Sequence, residues 1–389
     1  MDSNAKLNMN VMNAPMSGIR KISDMVMQMK DVVRMDLGEP DFDVPEHIKE
    51  AAIKAIRDGF SHYTAGPGIM DLRKAAAAKF KAENGLDFDP ETEITVTQGG
   101  IGAIFSALQT VVNPGDEVIV TDPVWPAYLG VLAILEAKPV VVTLKEKNGF
   151  NMMPEDVKAA ITGKTKVIVV NSPNNPTGGV MTDENMKGIA KIASEKGIFV
   201  LSDESYEKLM LGKRKHLSIG SLPGMRDLTM TQFTLSKTYA MTGWRIGFAV
   251  ANKELSSGIR KVSLYTITHA NSVAQKAAVA ALTGPQDCVE KMVAAYRERA
   301  KILTDGLNAT GKISCLQPEG AFYAFANISK INMNSEDFVL KMIKEAKVSA
   351  VNGSSFGESG EGFVRFCFAN STENIKEAVK RISGFVKTL

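Results

Sequence analysis

Short runs of apolar and β-branched residues recur between about residues 90 and 250, and each run ends in turn-forming residues. Seven such runs lie at residues 93–98, 116–122, 139–144, 166–172, 198–203, 228–236 and 245–250. Their apolar character is nearly continuous rather than alternating, which is typical of strands buried on both faces of a parallel sheet. Because helical patterns separate most of the runs, the sequence predicts an α/β protein built on a seven-stranded, mostly parallel sheet.

The connection to the last of these runs is too short for a parallel pair of strands. Only residues 237–244 separate this run from the sixth run, whereas a crossover between parallel strands needs about a dozen residues. We therefore expect the seventh strand to run antiparallel to the sixth. Helical patterns follow at residues 254–282 and 285–307, and the rest of the chain has an α+β pattern. These features predict a large α/β domain at residues 46–284 and a smaller α+β domain formed by residues 1–45 and 285–389.

Composition and charge exclude several kinds of partner. The 389 residues include 46 Lys+Arg and 43 Asp+Glu, a net charge of +3, so the chain lacks the basic excess of a nucleic-acid-binding protein. No apolar stretch approaches the roughly 18 residues that a membrane span needs, and the first residues do not resemble a secretory signal. Three widely separated cysteines form no metal or disulfide pattern. We expect a cytoplasmic protein with no metal site and no nucleic-acid or membrane partner.

Histidine chemistry is not expected either. The four histidines form no HExxH pair, and none of them follows a GxSxG motif along the chain, so zinc hydrolase and serine hydrolase interpretations lose most of their support.

A glycine-rich turn joins the first strand to an apolar helix. Gly99, Gly100 and Gly102 stand at this junction, where backbone N–H groups and the helix dipole can approach a phosphate. The turn lacks the third glycine of the dinucleotide fingerprint. The pattern predicts a general phosphate cradle and argues against an NAD enzyme.

Polar and aromatic residues follow four other predicted strands. They are Trp125, Asn175, Asp203 with Tyr206, and Lys237 with Arg245. Ligands in open α/β sheets bind at the carboxyl ends of the strands, so we expect these residues to meet in one crevice. A buried carboxylate is costly unless a cation compensates it, and Asp203 is therefore expected to have a cationic partner. An amine, a carboxylate, an aromatic face and a phosphate cradle together match the needs of pyridoxal phosphate.

Several motifs stand in a characteristic order along the whole chain. They include LGEPDF at residues 37–42, YTAGPGIMDLR at 63–73, NNPTG, SDESY, TLSKTYAMTGWRIGF and FVRFCFA at 363–369. Together they resemble the class I/II aminotransferases, which are fold type I pyridoxal phosphate enzymes. Within that family, the chain is most similar to the bacterial and archaeal branch that holds aspartate, aromatic and broad-specificity enzymes.

The resemblance implies roles for the residues at the strand ends. Lys237 matches the lysine that forms the Schiff base with the cofactor and later moves a proton at the substrate carbon. Asp203 matches the carboxylate that pairs with the pyridine nitrogen. Tyr206 and Asn175 match the groups that hydrogen-bond the phenolic oxygen of the cofactor, and Trp125 matches the aromatic residue stacked on its ring.

The resemblance also implies the phosphate and substrate contacts. The phosphate cup would consist of Thr234, Ser236, Arg245 and the backbone of Gly100 and Ile101. Arg365 matches the arginine that binds the substrate α-carboxylate, and Gly38 matches a glycine whose main chain closes over the substrate. Trp125 and Asn175 are also expected to contact the substrate. Tyr63 matches a tyrosine that reaches the phosphate of the neighbouring subunit, which implies a homodimer with shared active sites.

The implied activity is transfer of the amino group of an L-amino acid to a 2-oxo acid, with 2-oxoglutarate as the expected acceptor, by a ping-pong mechanism. Aspartate, aromatic and broad donor classes stay open, because Ile101 stands where an aspartate-preferring member can carry a lysine and Ser205 replaces a branched apolar residue. A β-elimination or C–S lyase on the same fold is the alternative, since both chemistries share a carbanion.

Overall fold

The structure is a computed structural model that describes residues 7–12, 14 and 18–389. Residues 1–6, 13 and 15–17 of the predicted N-terminal arm lie outside the described residues. The strands are β1 (Val33–Arg34), β2 (Ile94–Gln98), β3 (Glu117–Asp122), β4 (Lys138–Thr143), β5 (Thr165–Asn171), β6 (Phe199–Asp203), β7 (Thr229–Thr234), β8 (Ile246–Val250), β9 (Ser314–Cys315), β10 (Tyr323–Asn327), β11 (Val348–Ser349), β12 (Val351–Asn352) and β13 (Phe363–Cys367).

The α-helices are α1 (Met9–Met12), α2 (Gly18–Met27), α3 (Glu46–Arg57), α4 (Met70–Lys79), α5 (Gly99–Val111), α6 (Pro126–Ile134), α7 (Pro154–Ala160), α8 (Asp183–Lys196), α9 (Leu235–Thr238), α10 (Lys253–Ile267), α11 (Ser272–Thr283), α12 (Asp287–Asn308), α13 (Ser335–Ala346) and α14 (Thr372–Val386). A π-helical turn, Phe80–Asn84, extends α4. In the described part of the chain, no helix is both long and apolar enough to cross a membrane.

The predicted seven-stranded sheet is confirmed, with the strand order β2-β8-β7-β6-β5-β3-β4. β8 pairs antiparallel with both β2 and β7, and the other pairs are parallel. The prediction of an antiparallel seventh strand is therefore also confirmed. Its physical reason is that the connection between β7 and β8 is too short for a crossover helix to carry the chain back to the other end of the sheet.

The single helix predicted at residues 254–282 is wrong, because the structure has two helices there, α10 and α11. Thr268 ends α10 with a φ of +63°, and the Asn271 side chain accepts a hydrogen bond from the backbone of Ala274 at the start of α11. Asparagine at an N-cap satisfies an N–H group that the helix itself leaves free.

Helices cover both faces of the large sheet. One face packs against α5, α6 and α10, and its core includes Val118, Val120, Leu201 and Ala249. The other face packs against α4 and α11 near β8, and against α7 and α8 near β5. Successive strand residues therefore alternate between two apolar layers, which is why the strands are almost continuously apolar.

A second core lies beside the large sheet. It joins the antiparallel sheet β12-β13-β10-β9 to α12, α13 and α14. Ile22, Val26, Val33 and Met35 of the N-terminal segment are buried in this core, and β1 pairs in parallel with β11. The short helix α1, by contrast, lies against α6 on the large sheet.

Candidate active site

A cavity opens at the carboxyl ends of β5, β6 and β7, against β10 and β13. Its lining consists of Ile19, Gly38, Trp125, Asn171, Asn175, Asp203, Ser205, Tyr206, Lys237, Tyr323 and Arg365. The parallel strands end at the same edge, and Asn171 and Asp203 are register partners at the ends of β5 and β6. The structure thus brings together the following residues singled out in the sequence: Gly38, Trp125, Asn175, Asp203, Tyr206, Lys237 and Arg365.

Lys237 lies on the one-turn helix α9 directly after β7. Its Nζ donates a hydrogen bond to the carbonyl oxygen of Gly38 at 2.7 Å and lies 5.7 Å from the centre of the Phe322 ring. The pKa of the Lys237 amine is lowered to about 8, mainly by burial; Cys367 and Glu39 oppose this shift, and the nearby Arg365 and Arg245 add smaller contributions in the same direction as burial. A buried amine favours its neutral form because charge is poorly solvated there.

The pKa near 8 predicts the reactivity of this amine in the cofactor-free enzyme. We expect labelling of Lys237 by trinitrobenzenesulfonate to rise with pH and reach half its maximum near pH 8, because only the neutral amine is nucleophilic. Mass spectrometry of the labelled peptide at a series of pH values measures this midpoint. The urea-unfolded chain is the control, and a midpoint close to the ordinary lysine value of 10.5 in the folded enzyme would contradict the prediction.

Asp203 does not have the cationic partner that the sequence analysis expected. Its carboxylate is 3% exposed and accepts hydrogen bonds from the Tyr128 hydroxyl and from the backbone N–H of Ser205, the latter at 3.0 Å. Among the described residues, no Lys, Arg or His side chain makes an ion pair with it. Burial raises the pKa of Asp203 even though both hydrogen bonds favour the ionised form.

Tyr128 is a site residue that the sequence analysis missed. It is 2% exposed, lies on the first turn of α6, and packs edge-on against Trp125 with ring centroids 5.4 Å apart. Burial and Asp203 raise the pKa of the Tyr128 hydroxyl well above its usual value, so this group acts as a donor. The available signal was a phenol within the otherwise apolar helix PAYLGVLAI, because a buried tyrosine hydroxyl usually has a partner.

Arg365 lies on β13 and is 1% exposed. Nη1 donates to Asn175 Oδ1 at 3.1 Å, and Nη2 donates to the carbonyl oxygen of Asp36 at 2.7 Å. The guanidinium also lies over the Tyr323 ring, 4.4 Å from its centre. Its buried Nε has no partner among the described residues, so an acceptor in the cavity would complete its hydrogen bonding.

The neighbouring hydroxyl and amide groups are held by one another. Tyr206 and Tyr323 share a hydrogen bond of 2.9 Å between their hydroxyl oxygens. Asn171 Oδ1 accepts from the backbone N–H of Asn175 at 3.0 Å, while Asn171 Nδ2 donates to the Asp203 carbonyl oxygen. Tyr323 and Asn171, like Tyr128, were not predicted as site residues, because their roles depend on neighbours that are distant along the chain.

The residues predicted to hold a phosphate lie beside the cavity rather than in its lining. Gly99 begins α5 with a φ of +68°, and an added Cβ would lie 2.5 Å from Arg245 Nη2. Arg245 donates to the Thr242 carbonyl oxygen at 2.8 Å. The remaining members of this group are Gly100 in the first turn of α5, the half-buried Ile101, and Thr234 and Ser236, whose hydroxyl oxygens are 3.0 Å apart. A helix N-terminus beside a guanidinium suits a phosphate.

Tyr63 is not brought to this cavity within the chain. Its side chain is 88% exposed, and the ring packs edge-on against His269.

A buried polar network lies directly behind Asp203. Glu204 is 2% exposed and accepts hydrogen bonds from His216 Nε2 at 2.7 Å and from the Ser218 hydroxyl at 2.6 Å. The pair formed by Glu204 and His216 is bordered by Lys79, Asn84 and Glu207. Burial alone lowers the pKa of His216, but Glu204 outweighs it and raises that pKa. Conversely, His216 and the hydroxyl donors outweigh burial and lower the pKa of Glu204.

This ion pair predicts a specific pH dependence of stability. A raised pKa of His216 in the folded state stabilises the fold below the unfolded-state value of about 6.5, and this contribution is lost as pH rises through the folded-state value. We therefore expect His216→Gln to lower Tm most near pH 6, by the equivalent of about 3 kcal/mol, and progressively less at alkaline pH. Scanning calorimetry between pH 5.5 and 9.5 measures this difference, with the exposed His62→Gln as control. A difference that grows with pH would be inconsistent with the pair.

The chemistry of these groups fits pyridoxal phosphate. The buried Asp203 carboxylate has no cation among the described residues, which is the position that a protonated pyridine nitrogen would fill. Lys237 offers an amine of lowered pKa for an aldehyde, and the start of α5 with Arg245 offers a phosphate cradle. The orphaned Arg365 Nε remains for a substrate carboxylate.

Comparison with known proteins agrees with this chemistry. Residues 30–382 match the family model described as aminotransferase class I and II. The chain is 39% identical to aromatic-amino-acid aminotransferase 2 of Thermococcus litoralis and to an aspartate aminotransferase of Pyrococcus abyssi, in each case over 373 residues that cover 95% of this chain and 96% of the relative.

Solved structures show the same similarity. The aspartate aminotransferase of Thermus thermophilus with maleate superposes with a TM-score of 0.93 at 37% identity, covering 98% of this chain and 99% of the other. Nothing in these comparisons supports the lyase alternative. The chain therefore belongs to the class I and II aminotransferases, and it is a pyridoxal-phosphate-dependent transaminase of amino acids.

Proposed function

We propose that this transaminase moves the amino group of an L-amino acid of the aspartate, aromatic or mixed class to a 2-oxo acid, with 2-oxoglutarate as the expected acceptor. The observation that carries the proposal is that one cavity holds the Lys237 amine, the Asp203 carboxylate and the Arg365 guanidinium without any ion pair between them. When bound, pyridoxal phosphate supplies an electron sink for the carbanion formed at the substrate Cα.

Lys237 is the group that we assign to proton transfer. Its Nζ would accept the proton from the substrate Cα and then donate it to the cofactor. A pKa of about 8 keeps both the neutral and the protonated amine accessible near neutral pH, which is the condition under which a general acid–base group works best.

Asp203 is assigned to the pyridine nitrogen. Its ionised carboxylate would hold a proton on that nitrogen and so maintain positive charge in the ring. The Tyr128 hydroxyl and the Ser205 N–H restrict rotation of the carboxylate. Trp125 packs against Tyr128, and we assign its indole to the face of the cofactor ring.

Arg365 is assigned to the substrate α-carboxylate. A guanidinium has five N–H donors, and the protein uses one on Nη1 and one on Nη2. Stacking on Tyr323 fixes the plane of the group, so the remaining donors keep a constant direction. We assign Gly38 to closing over the substrate, and an added Cβ there would lie 2.4 Å from the Tyr323 hydroxyl. Asn175 and Tyr206 are assigned to the phenolic oxygen of the cofactor.

We assign binding of the cofactor phosphate to the group formed by Gly100, Ile101, Thr234, Ser236 and Arg245. In this group, backbone N–H groups, hydroxyls and a guanidinium can share the charge of a dianion.

The donor class can be identified without an acceptor. Among the described lining residues, Lys237 and Arg365 are the cations, while Ile19, Trp125 and Tyr323 offer apolar and aromatic surface. We therefore expect L-phenylalanine and L-methionine to be good donors. The visible absorbance of the purified enzyme is recorded before and after L-aspartate, L-phenylalanine, L-alanine or L-methionine is added. Conversion of the cofactor to its amine form identifies donors, and an unchanged spectrum with all four would contradict transamination of these classes.

We propose in addition a homodimer with shared active sites, in which Tyr63 reaches the phosphate of the neighbouring subunit. The 88% exposure of this tyrosine leaves its side chain free to contact a second subunit, as the proposal requires. Light scattering should give twice the mass of 42.0 kDa, and Tyr63→Phe should weaken cofactor binding. A monomer of full activity would refute the arrangement.

Two expectations remain predictions from the sequence. One is the division into a domain at residues 46–284 and a domain formed by residues 1–45 and 285–389, and the other is a cytoplasmic location. The burial of Ile22, Val26, Val33 and Met35 against the C-terminal elements supports the division from residue 18 onward.

A further inference from the structure

The segment from Arg34 to Gly38 passes between the two cations of the site. The carbonyl oxygen of Asp36 accepts a hydrogen bond from Arg365 Nη2 at 2.7 Å. Two residues later, the carbonyl oxygen of Gly38 accepts from Lys237 Nζ at 2.7 Å. The position of this short stretch of backbone therefore sets the position of both cationic groups.

The Asp36 side chain anchors the segment on its other side. Its carboxylate is fully buried and accepts from Arg34 Nε at 3.1 Å, from Arg34 Nη2 at 2.6 Å and from the Ser349 hydroxyl. Arg34 and Asp36 are two residues apart in extended backbone and so point to the same side. Arg34 and Ser349 are also register partners of β1 and β11. The side chains of Arg34, Asp36 and Ser349 thus form one hydrogen-bonded unit, called here the Asp36 clamp, and Arg34 Nη2 also donates to the Ser23 hydroxyl oxygen at 2.6 Å.

Backbone hydrogen bonds connect the same segment to the strand that carries Arg365. The Cys367 N–H donates to the Met35 carbonyl oxygen at 2.8 Å, and the Met35 N–H donates to the Ser349 carbonyl oxygen at 3.2 Å. The segment therefore lies between β11 and β13, and the side chains of the clamp are not part of the cavity lining.

Stability alone does not account for the clamp. A buried ion pair contributes little net stability compared with apolar residues of similar volume, because both charges must be desolvated. What an ion pair does impose is a fixed geometry, since the guanidinium fork and the carboxylate bind in one orientation.

We propose that Asp36 is a positioning residue for the substrate-carboxylate site, and that its clamp by Arg34 and Ser349 holds the backbone whose carbonyl oxygen orients Arg365. The proposal rests on the proposed function, in which Arg365 binds the α-carboxylate. Asp36 does not touch substrate in this scheme and acts through the guanidinium. A misplaced guanidinium weakens binding of every carboxylate substrate, whichever side chain the substrate carries.

The test is Asp36→Asn in the holoenzyme, with 3-phenylpropanoate as a carboxylate probe. We expect KM for both the amino acid and the 2-oxo acid to rise about tenfold, as for loss of one charged hydrogen bond, while kcat changes less than about threefold. Calorimetric Kd for the probe should weaken by the same factor. The matched control is Asp41→Asn, which breaks the Asp41–Arg299 ion pair of 2.8 Å just beyond the end of this segment and should leave KM and probe affinity unchanged.

Two further variants make the result decisive. Ser349→Ala removes one donor of the clamp and should give a smaller rise in KM, and it decides the question if Asp36→Asn does not fold. Arg365→Lys tests the proposed function itself, because unchanged probe affinity in that variant would refute the role of Arg365. If Arg365→Lys weakens probe binding while Asp36→Asn and Ser349→Ala leave KM and Kd unchanged, only the role of Asp36 is overturned.

Discussion

Replacing Lys237 by alanine is expected to abolish transamination, with kcat lower by on the order of 10,000-fold or more. The reason is that Lys237 is the one amine in the described lining of the cavity, and no other described lining residue combines a nitrogen base with a pKa near 8. Steady-state rates with the preferred donor and acceptor measure the loss. Absorbance of the variant reports separately whether the cofactor still binds.

The control for this experiment is Lys191→Ala, which removes a lysine that is 76% exposed on α8 and should leave kcat unchanged. Addition of methylamine to Lys237→Ala provides a further check, because partial recovery of the rate would assign the missing function to the amine. Steady-state turnover of Lys237→Ala at a tenth of the wild-type rate or more would rule out the proposed role.

The second large effect is expected for Asp203→Asn, which should lower kcat/KM by about 100- to 1,000-fold. The amide is nearly isosteric with the carboxylate, but it carries no negative charge to hold a proton on the pyridine nitrogen. The cost is high because the site is buried, and the electrostatic interaction is not weakened by water. Single-turnover rates with one amino acid, followed by absorbance, isolate the step in which the charge matters.

Tyr128→Phe is the matched control for Asp203→Asn. It keeps the carboxylate but removes the hydroxyl that donates a hydrogen bond to Asp203 Oδ2, so we expect a smaller loss of about tenfold. A larger loss of activity in Asp203→Asn than in Tyr128→Phe would show that the charge of the carboxylate matters more than its orientation. If Asp203→Asn were as active as Tyr128→Phe, or more active, the carboxylate would not carry the assigned charge.

The convergence of the site residues could be predicted from the sequence because it follows from one regularity. Parallel strands end at the same edge of a sheet, so polar residues after each strand meet there even though they are far apart along the chain. Trp125, Asn175, Asp203 and Lys237 line the cavity for this reason. Which group compensates Asp203 could not be predicted, because the orientation of α6 decides that Tyr128 reaches it.

The sequence by itself determined the seven strands of the large sheet, the antiparallel β8 and the edge at which the cavity lies, since each depends on local periodicity, connection length or strand direction. Only the tertiary structure decided the Tyr128 hydrogen bond to Asp203 and the Asp36 clamp. In the clamp, Asp36 and Ser349 are 313 residues apart. Contacts of that kind depend on how separate elements pack, and no spacing or periodicity along the chain encodes them.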